Sequence, residues 1–92
     1  MIKSFAHKGL AQLFDSGTSA GVRPDMRSKL VRLLDLLSAA RQPADMDLPG
    51  LHLHELQGKR KGTFSIWVNG NYRLTFAMTD GNATNVNLED YH

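Results

Sequence analysis

Residues 63–78, TFSIWVNGNYRLTFAM, leave few options for how this chain folds. Phe64, Ile66 and Val68 recur at a period of two, which places them on one face of a strand. Tyr72, Leu74, Phe76 and Met78 repeat the pattern. Between the runs stands NGN (69–71), and two amphipathic strands joined by so short a polar segment predict a β-hairpin. The turn is expected to draw on the tolerance of Asn and Gly for positive φ. A hairpin with one apolar face is not stable alone, so the rest of the chain must cover it.

The cover is legible upstream. In PDMRSKLVRLLDLLSAAR (24–41), Met26, Leu30, Leu33, Leu34, Leu37 and Ala40 recur at steps of three and four, forming a helical stripe. Arg27, Lys29, Arg32, Asp35 and Arg41 fall mostly off it. Pro24 suits the first helical position, Asp25 the first turn, and Pro43 marks the stop. KGLAQLFDSG (8–17) is a second, shorter helix, with Leu10, Leu13 and Phe14 at helical spacing and Gly17 as its end. TSAGVR (18–23) is a linker and QPADMDLPG (42–50) a loop. IKSFAH (2–7) and LHLHELQ (51–57) alternate enough to be strands. TDGN (79–82) is a second hairpin turn leading into a last strand, ATNVNLEDYH (83–92). The expectation is α+β: a single compact domain over residues 1–92, an N-terminal strand and two helices packed on one face of a mostly antiparallel sheet. The opposite sheet face then carries Ser65, Arg73 and Thr75 beside Trp67, a polar surface with a basic centre that a nucleic acid could use.

Composition narrows the classes. Hydrophobic residues are 41% and charged residues 22%, which fits one packed core rather than disorder. No apolar run approaches a membrane span, and MIKSFAHKG has no apolar segment of the kind that marks a signal peptide. The absence of cysteine removes disulfides and thiolate metal sites and fits a reducing compartment, so a cytoplasmic location is expected. The net charge of +2 tilts weakly toward polyanionic partners.

Four groups could carry chemistry. Histidine titrates near neutrality and serves as acid or base. Of His7, His52, His54 and His92, the first two read as surface residues, and His54 matters if it meets His92 across the sheet. QGKRKG (57–62) sets Lys59, Arg60 and Lys61 between glycines, either a phosphate-binding loop or a solvated turn. Arg73 faces away from the expected core; it either holds phosphate or pairs with a carboxylate such as Glu89. Trp67 either stacks on a base or covers sheet surface. HLH (52–54), with Asp90 or His92, is a possible metal chelate of low specificity, so neither metal nor cofactor is assigned.

Taken together, MIKSF, LHLHELQGKRKG, FSIWVNGNYRLTF and the terminal EDYH resemble the HigB-like toxins of the RelE/ParE superfamily, ribosome-dependent mRNA interferases. The resemblance spans essentially the whole chain. It implies two helices on a mostly antiparallel sheet, cleavage of mRNA in the ribosomal A site with contacts to 16S rRNA, and a cognate HigA-like helix-turn-helix antitoxin through which operator DNA is bound. It places the family's functional histidine on His54, its hairpin arginine on Arg73, and its terminal triad on Asp90, Tyr91 and His92. Two positions depart from the family: Gln57 stands where a lysine is frequent and Val68 where an arginine can occur. The loop cations Lys59, Arg60 and Lys61 are candidates to compensate in RNA binding. Relatives resembling ParE bind DNA gyrase and are not nucleases, so gyrase inhibition is the alternative; the histidines and terminal triad favour the nuclease.

The last strand sets its own puzzle. Alternation places Val86, Leu88, Asp90 and His92 on one face and Asn87, Glu89 and Tyr91 on the other. For Asp90, Tyr91 and His92 to share a site, an end, twist or bulge is expected after Leu88, near Glu89.

Overall fold

The hairpin is the middle of a four-stranded antiparallel sheet in the computed structural model, which describes residues 1–91. The strands are β1 (His54–Glu55), β2 (Thr63–Trp67), β3 (Tyr72–Thr79) and β4 (Asn82–Asp90), side by side in chain order. Helices α1 (Lys8–Ser16) and α2 (Arg27–Ala39) pack on one face, as an α+β fold requires. Every member of the helical stripe read from the sequence is buried, and the cations off it are exposed. Phe64 lies opposite Phe76 and Ile66 opposite Leu74, so the apolar halves of the hairpin meet in register beneath α2. Each buried leucine contributes roughly 1.5–3 kcal/mol, enough for the four of α2 to hold the helix on the sheet without its polar side.

The ends of α1 are built from side-chain and backbone caps. His7 is its N-cap, with Nδ1 accepting from Leu10 N at 3.1 Å, which gives that histidine a structural role. Gly17 closes it at φ +75°, its N–H donating to the Leu13 carbonyl. Gly9 meets the backbone of Gly21 so closely that an added Cβ would lie 2.3 Å from the Gly21 oxygen.

Three local expectations are corrected. The N-terminal segment is not a full strand: it touches β4 through two parallel bridges, Ile2 to Ala83 and Phe5 to Val86. Ser4 explains the gap, because its Oγ accepts from Asn85 N at 2.9 Å where a ladder would place a carbonyl. The segment nonetheless covers the outer edge of β4. The NGN turn uses no positive φ. Asn69 Oδ1 instead accepts from the N–H groups of Asn71 and Tyr72, both at 2.9 Å, so a side chain replaces the backbone device. Asp80 and Gly81 do take positive φ, at +52° and +77°, in the second hairpin turn.

The third correction concerns β4. Its ladder with β3 is unbroken from Asn87 to Asp90, with Glu89 opposite Arg73 and Asp90 opposite Tyr72. The irregularity lies earlier: Thr75 pairs with Asn87 and Ala77 with Thr84, so Asn85 and Val86 together oppose Phe76. Asn85 absorbs the extra residue at φ +52°. Asn tolerates this left-handed geometry, which is why the bulge falls there and not near Glu89.

Candidate active site

The open face of the sheet is defined by register. Residues directly opposite in antiparallel strands point the same way. One row therefore runs His54, Ser65, Thr75, Asn87 from β1 to β4, and the next runs Trp67, Arg73, Glu89. The helices lie behind. Ser65, Thr75 and Arg73, expected as the polar surface of this face, are buried, and His54, Trp67 and Tyr91 are the exposed members of this platform. A cavity of about 130 Å³ between α2 and the 48–51 segment shares no residue with either row.

Arg73 is the centre of the platform. Its guanidinium carbon lies 4.5 Å from the ring centroid of Trp67 and 4.5 Å from that of Tyr91. Trp67 sits directly across on β2, and Tyr91 is the diagonal neighbour two residues beyond Glu89. Tyr91 continues the ladder, its N–H donating to the Asn71 carbonyl at 2.6 Å. Arg73 NH1 also donates to the carbonyls of Asn69 at 2.9 Å and Tyr72 at 3.1 Å. The arginine is left 7% exposed while Trp67 is 37% and Tyr91 55% exposed, so the rings are the accessible surface around a recessed cation.

Glu89 does not neutralise that cation. Its carboxylate accepts both terminal nitrogens of Arg60, 29 residues away, and the Thr75 hydroxyl at 2.6 Å. The Arg60 hydrogen bonds, reinforced by Thr75, hold the Glu89 carboxyl below its usual range and raise Arg60. The loop between β1 and β2, with its 3₁₀ turn Gly58–Arg60, is thereby clipped to β4; Lys59 and Lys61 stay exposed beside it. Gly62 N donating to Glu55 Oε2 at 2.9 Å closes the loop's other end.

His54 is exposed on the edge strand. Its Nδ1 lies 3.2 Å from the His52 carbonyl and its Nε2 3.4 Å from Ser65 Oγ. A carbonyl can only accept, so the proton belongs on Nδ1 and Nε2 is the acceptor. The LHLHELQ strand is reduced to His54–Glu55 because His52 takes φ +51° and breaks the alternation. The same twist brings the His52 ring 4.6 Å from Trp67, so this histidine is part of the site's flank and not an idle surface residue.

Of the residues singled out in the sequence, the structure gathers Arg73 and Tyr91, with His54 one row over. Standard strand geometry puts His54 and Arg73 about 12 Å apart at Cα. Asp90 pairs opposite Tyr72, on the alternate parity from Arg73. His92 lies outside the described residues. Among those described, no three His, Cys, Asp or Glu side chains converge for a metal ion.

A family model for the RelE-like toxin HigB of type II toxin–antitoxin systems matches residues 3–92. The chain belongs to the HigB-like toxin family. Two curated relatives agree. Endoribonuclease HigB of Proteus vulgaris is 39% identical over 92 residues, covering 100% of both chains. Toxin HigB-1 of Vibrio cholerae serotype O1 is 34% identical over 93 residues, covering 99% of this chain and 98% of its own. A type II toxin implies an antitoxin partner. No helix among the described residues is long and apolar enough to cross a membrane.

Within this HigB-like site, sequence reasoning missed the Arg60–Glu89–Thr75 linkage and the part played by His52. Neither leaves a local signal. Glu89 is one carboxylate in a polar strand until the register sets it beside Thr75.

Proposed function

We propose that the chain is a cytoplasmic endoribonuclease toxin that cuts mRNA in the ribosomal A site and is silenced by a HigA-like helix-turn-helix antitoxin. The observation that carries this reading is the recessed Arg73 cation, flanked by exposed rings on an open polar face, in a chain aligned end to end with a protein named an endoribonuclease. RNA carries its own nucleophile, the 2′-OH. A base takes that proton, the oxygen attacks the adjacent phosphorus, and an acid protonates the departing 5′-oxygen. His54 and His92 serve as the acid and base, His54 through Nε2. Arg73 stabilises the charge that builds on the phosphate oxygens. Tyr91 positions the nucleotide; Asp90, on the alternate parity from Arg73, enters from the end of β4, where it orients a histidine or acts as base. Lys59 and Lys61 approach the RNA backbone, with Arg60 anchoring their loop, and the same cations face 16S rRNA.

A positioned acid or base contributes ~10²–10⁴-fold, so His92→Ala and His54→Ala should each cut cleavage on programmed ribosomes by at least ~10² while melting like the parent. Full-rate cleavage by a chain ending at Glu89, with its fold intact, would refute the assignment. Supercoiling by gyrase should be unaffected. Expression should arrest growth, and the neighbouring antitoxin gene should relieve it.

A further inference from the structure

An arginine on a sheet face can be ordered by a carboxylate across the ladder. Arg73 has one directly across the ladder, Glu89, yet that carboxylate is committed to Arg60 and Thr75. Arg73 is held instead between two rings, each 4.5 Å from its guanidinium carbon, and by two backbone carbonyls on NH1. The difference matters chemically. A paired carboxylate would have to be displaced before phosphate could bind, whereas an aromatic face orders a guanidinium without cancelling its charge. A long side chain fixed beforehand also loses no freedom at the moment of reaction.

The backbone of Trp67 is itself fixed. Its main-chain N–H donates to the carbonyl of Leu51, a buried residue, at 2.8 Å. The His52 ring flanks the indole from the β1 side, 4.6 Å away, on a residue at φ +51°. Non-glycine residues in that conformation are uncommon, and they cluster where structure serves a site.

We propose that Trp67 is a positioning residue for the phosphate-binding Arg73: it holds the guanidinium in its working orientation as a carboxylate would, but leaves the charge available to RNA. The proposal rests on the nuclease reading above. It assigns Trp67 no contact with a base, and His52 secures the indole.

The test uses the full chain in two measurements. The first is single-turnover mRNA cleavage on programmed ribosomes. Trp67→Leu should lower the cleavage rate about two- to thirty-fold, the span of one cation–π contact, with the ribosome concentration for half-saturation unchanged. Trp67→Phe, which keeps a ring, should lose less than Trp67→Leu. In an Arg73→Ala background, Trp67→Leu should change nothing further, because nothing is left to position. Equal losses from Trp67→Leu in both backgrounds would overturn the proposal and make Trp67 an RNA contact in its own right.

The second measurement is the NMR shift of the Arg73 side-chain protons in the free chain. Ring currents should displace them, and Trp67→Leu should return them toward ordinary arginine values. An Arg73 resonance unmoved by Trp67→Leu sinks the clamp whatever the cleavage assay reads. Undiminished cleavage by Arg73→Ala instead sinks the catalytic role assigned to Arg73, so the two failures are told apart.

Discussion

Replacing Glu89 by Ala removes one carboxylate that serves two partners of different worth. The Arg60 side is half in water: the two side chains are 51% and 25% exposed, so the ion pair contributes only ~0.2–1 kcal/mol. The Thr75 side is dry. Thr75 is 3% exposed, and its hydroxyl donates to Glu89, so Glu89→Ala strands a buried donor at a cost of about 1–3 kcal/mol. The sum is about 2 kcal/mol, which lowers Tm by roughly 8–16 °C in a domain this size. Thr75→Val removes the hydroxyl while keeping the shape. In that background Glu89→Ala should cost only the ion pair, about 1 kcal/mol or less. Thermal and urea denaturation at pH 7 of the parent, both single variants and the double variant complete the cycle. Equal cost of Glu89→Ala in both backgrounds would refute the reasoning, because the penalty would then lie wholly with Arg60. Amide exchange separates the halves further: protection at residues 58–62 should fall in Glu89→Ala and persist in Thr75→Val.

Glu89 also ties stability to pH. Its folded-state pKa lies below its ordinary 4.5, so the stabilisation is complete above that value and is lost as pH falls through the lower folded one. Acid titration of Glu89→Gln should therefore show a flatter loss of stability below about pH 4.5 than the parent shows. Gly9→Ala forces a methyl to within 2.3 Å of the Gly21 carbonyl oxygen and should destabilise by about 1–3 kcal/mol in urea denaturation. Asn69→Ala strips the hairpin turn of an acceptor for two N–H groups, that of Asn71 exposed and that of Tyr72 half-buried. It should cost about 1 kcal/mol and broaden the Arg73 side-chain resonances, since the Asn69 carbonyl also holds NH1.

The residues of the site were more legible than its construction. Arg73 and Trp67 could be assigned to the open face because strand alternation is rigid and the apolar partners Ile66 and Leu74 are unmistakable. His54 was singled out as a titratable side chain and given its role by resemblance; the role of Tyr91 came from resemblance alone. The bulge was expected after Leu88 and lies at Asn85–Val86, where Asn85 takes up the left-handed φ and its N–H meets Ser4, 81 residues away in sequence, a contact no local pattern records. His52 looked idle because its backbone conformation follows from where the chain must run between α2 and β2.

By itself the sequence determined the elements and their faces. Period-two and period-3.6 patterns are local, and burial of the apolar side admits one main arrangement of two helices on a hairpin-centred sheet. Tertiary structure alone decided which polar groups meet. Glu89 serves Arg60 and Thr75 rather than the arginine directly opposite it, and Arg73 rests between Trp67 and Tyr91. These choices depend on register and on contacts between residues far apart in the chain, where the energy differences are small and no periodicity records them.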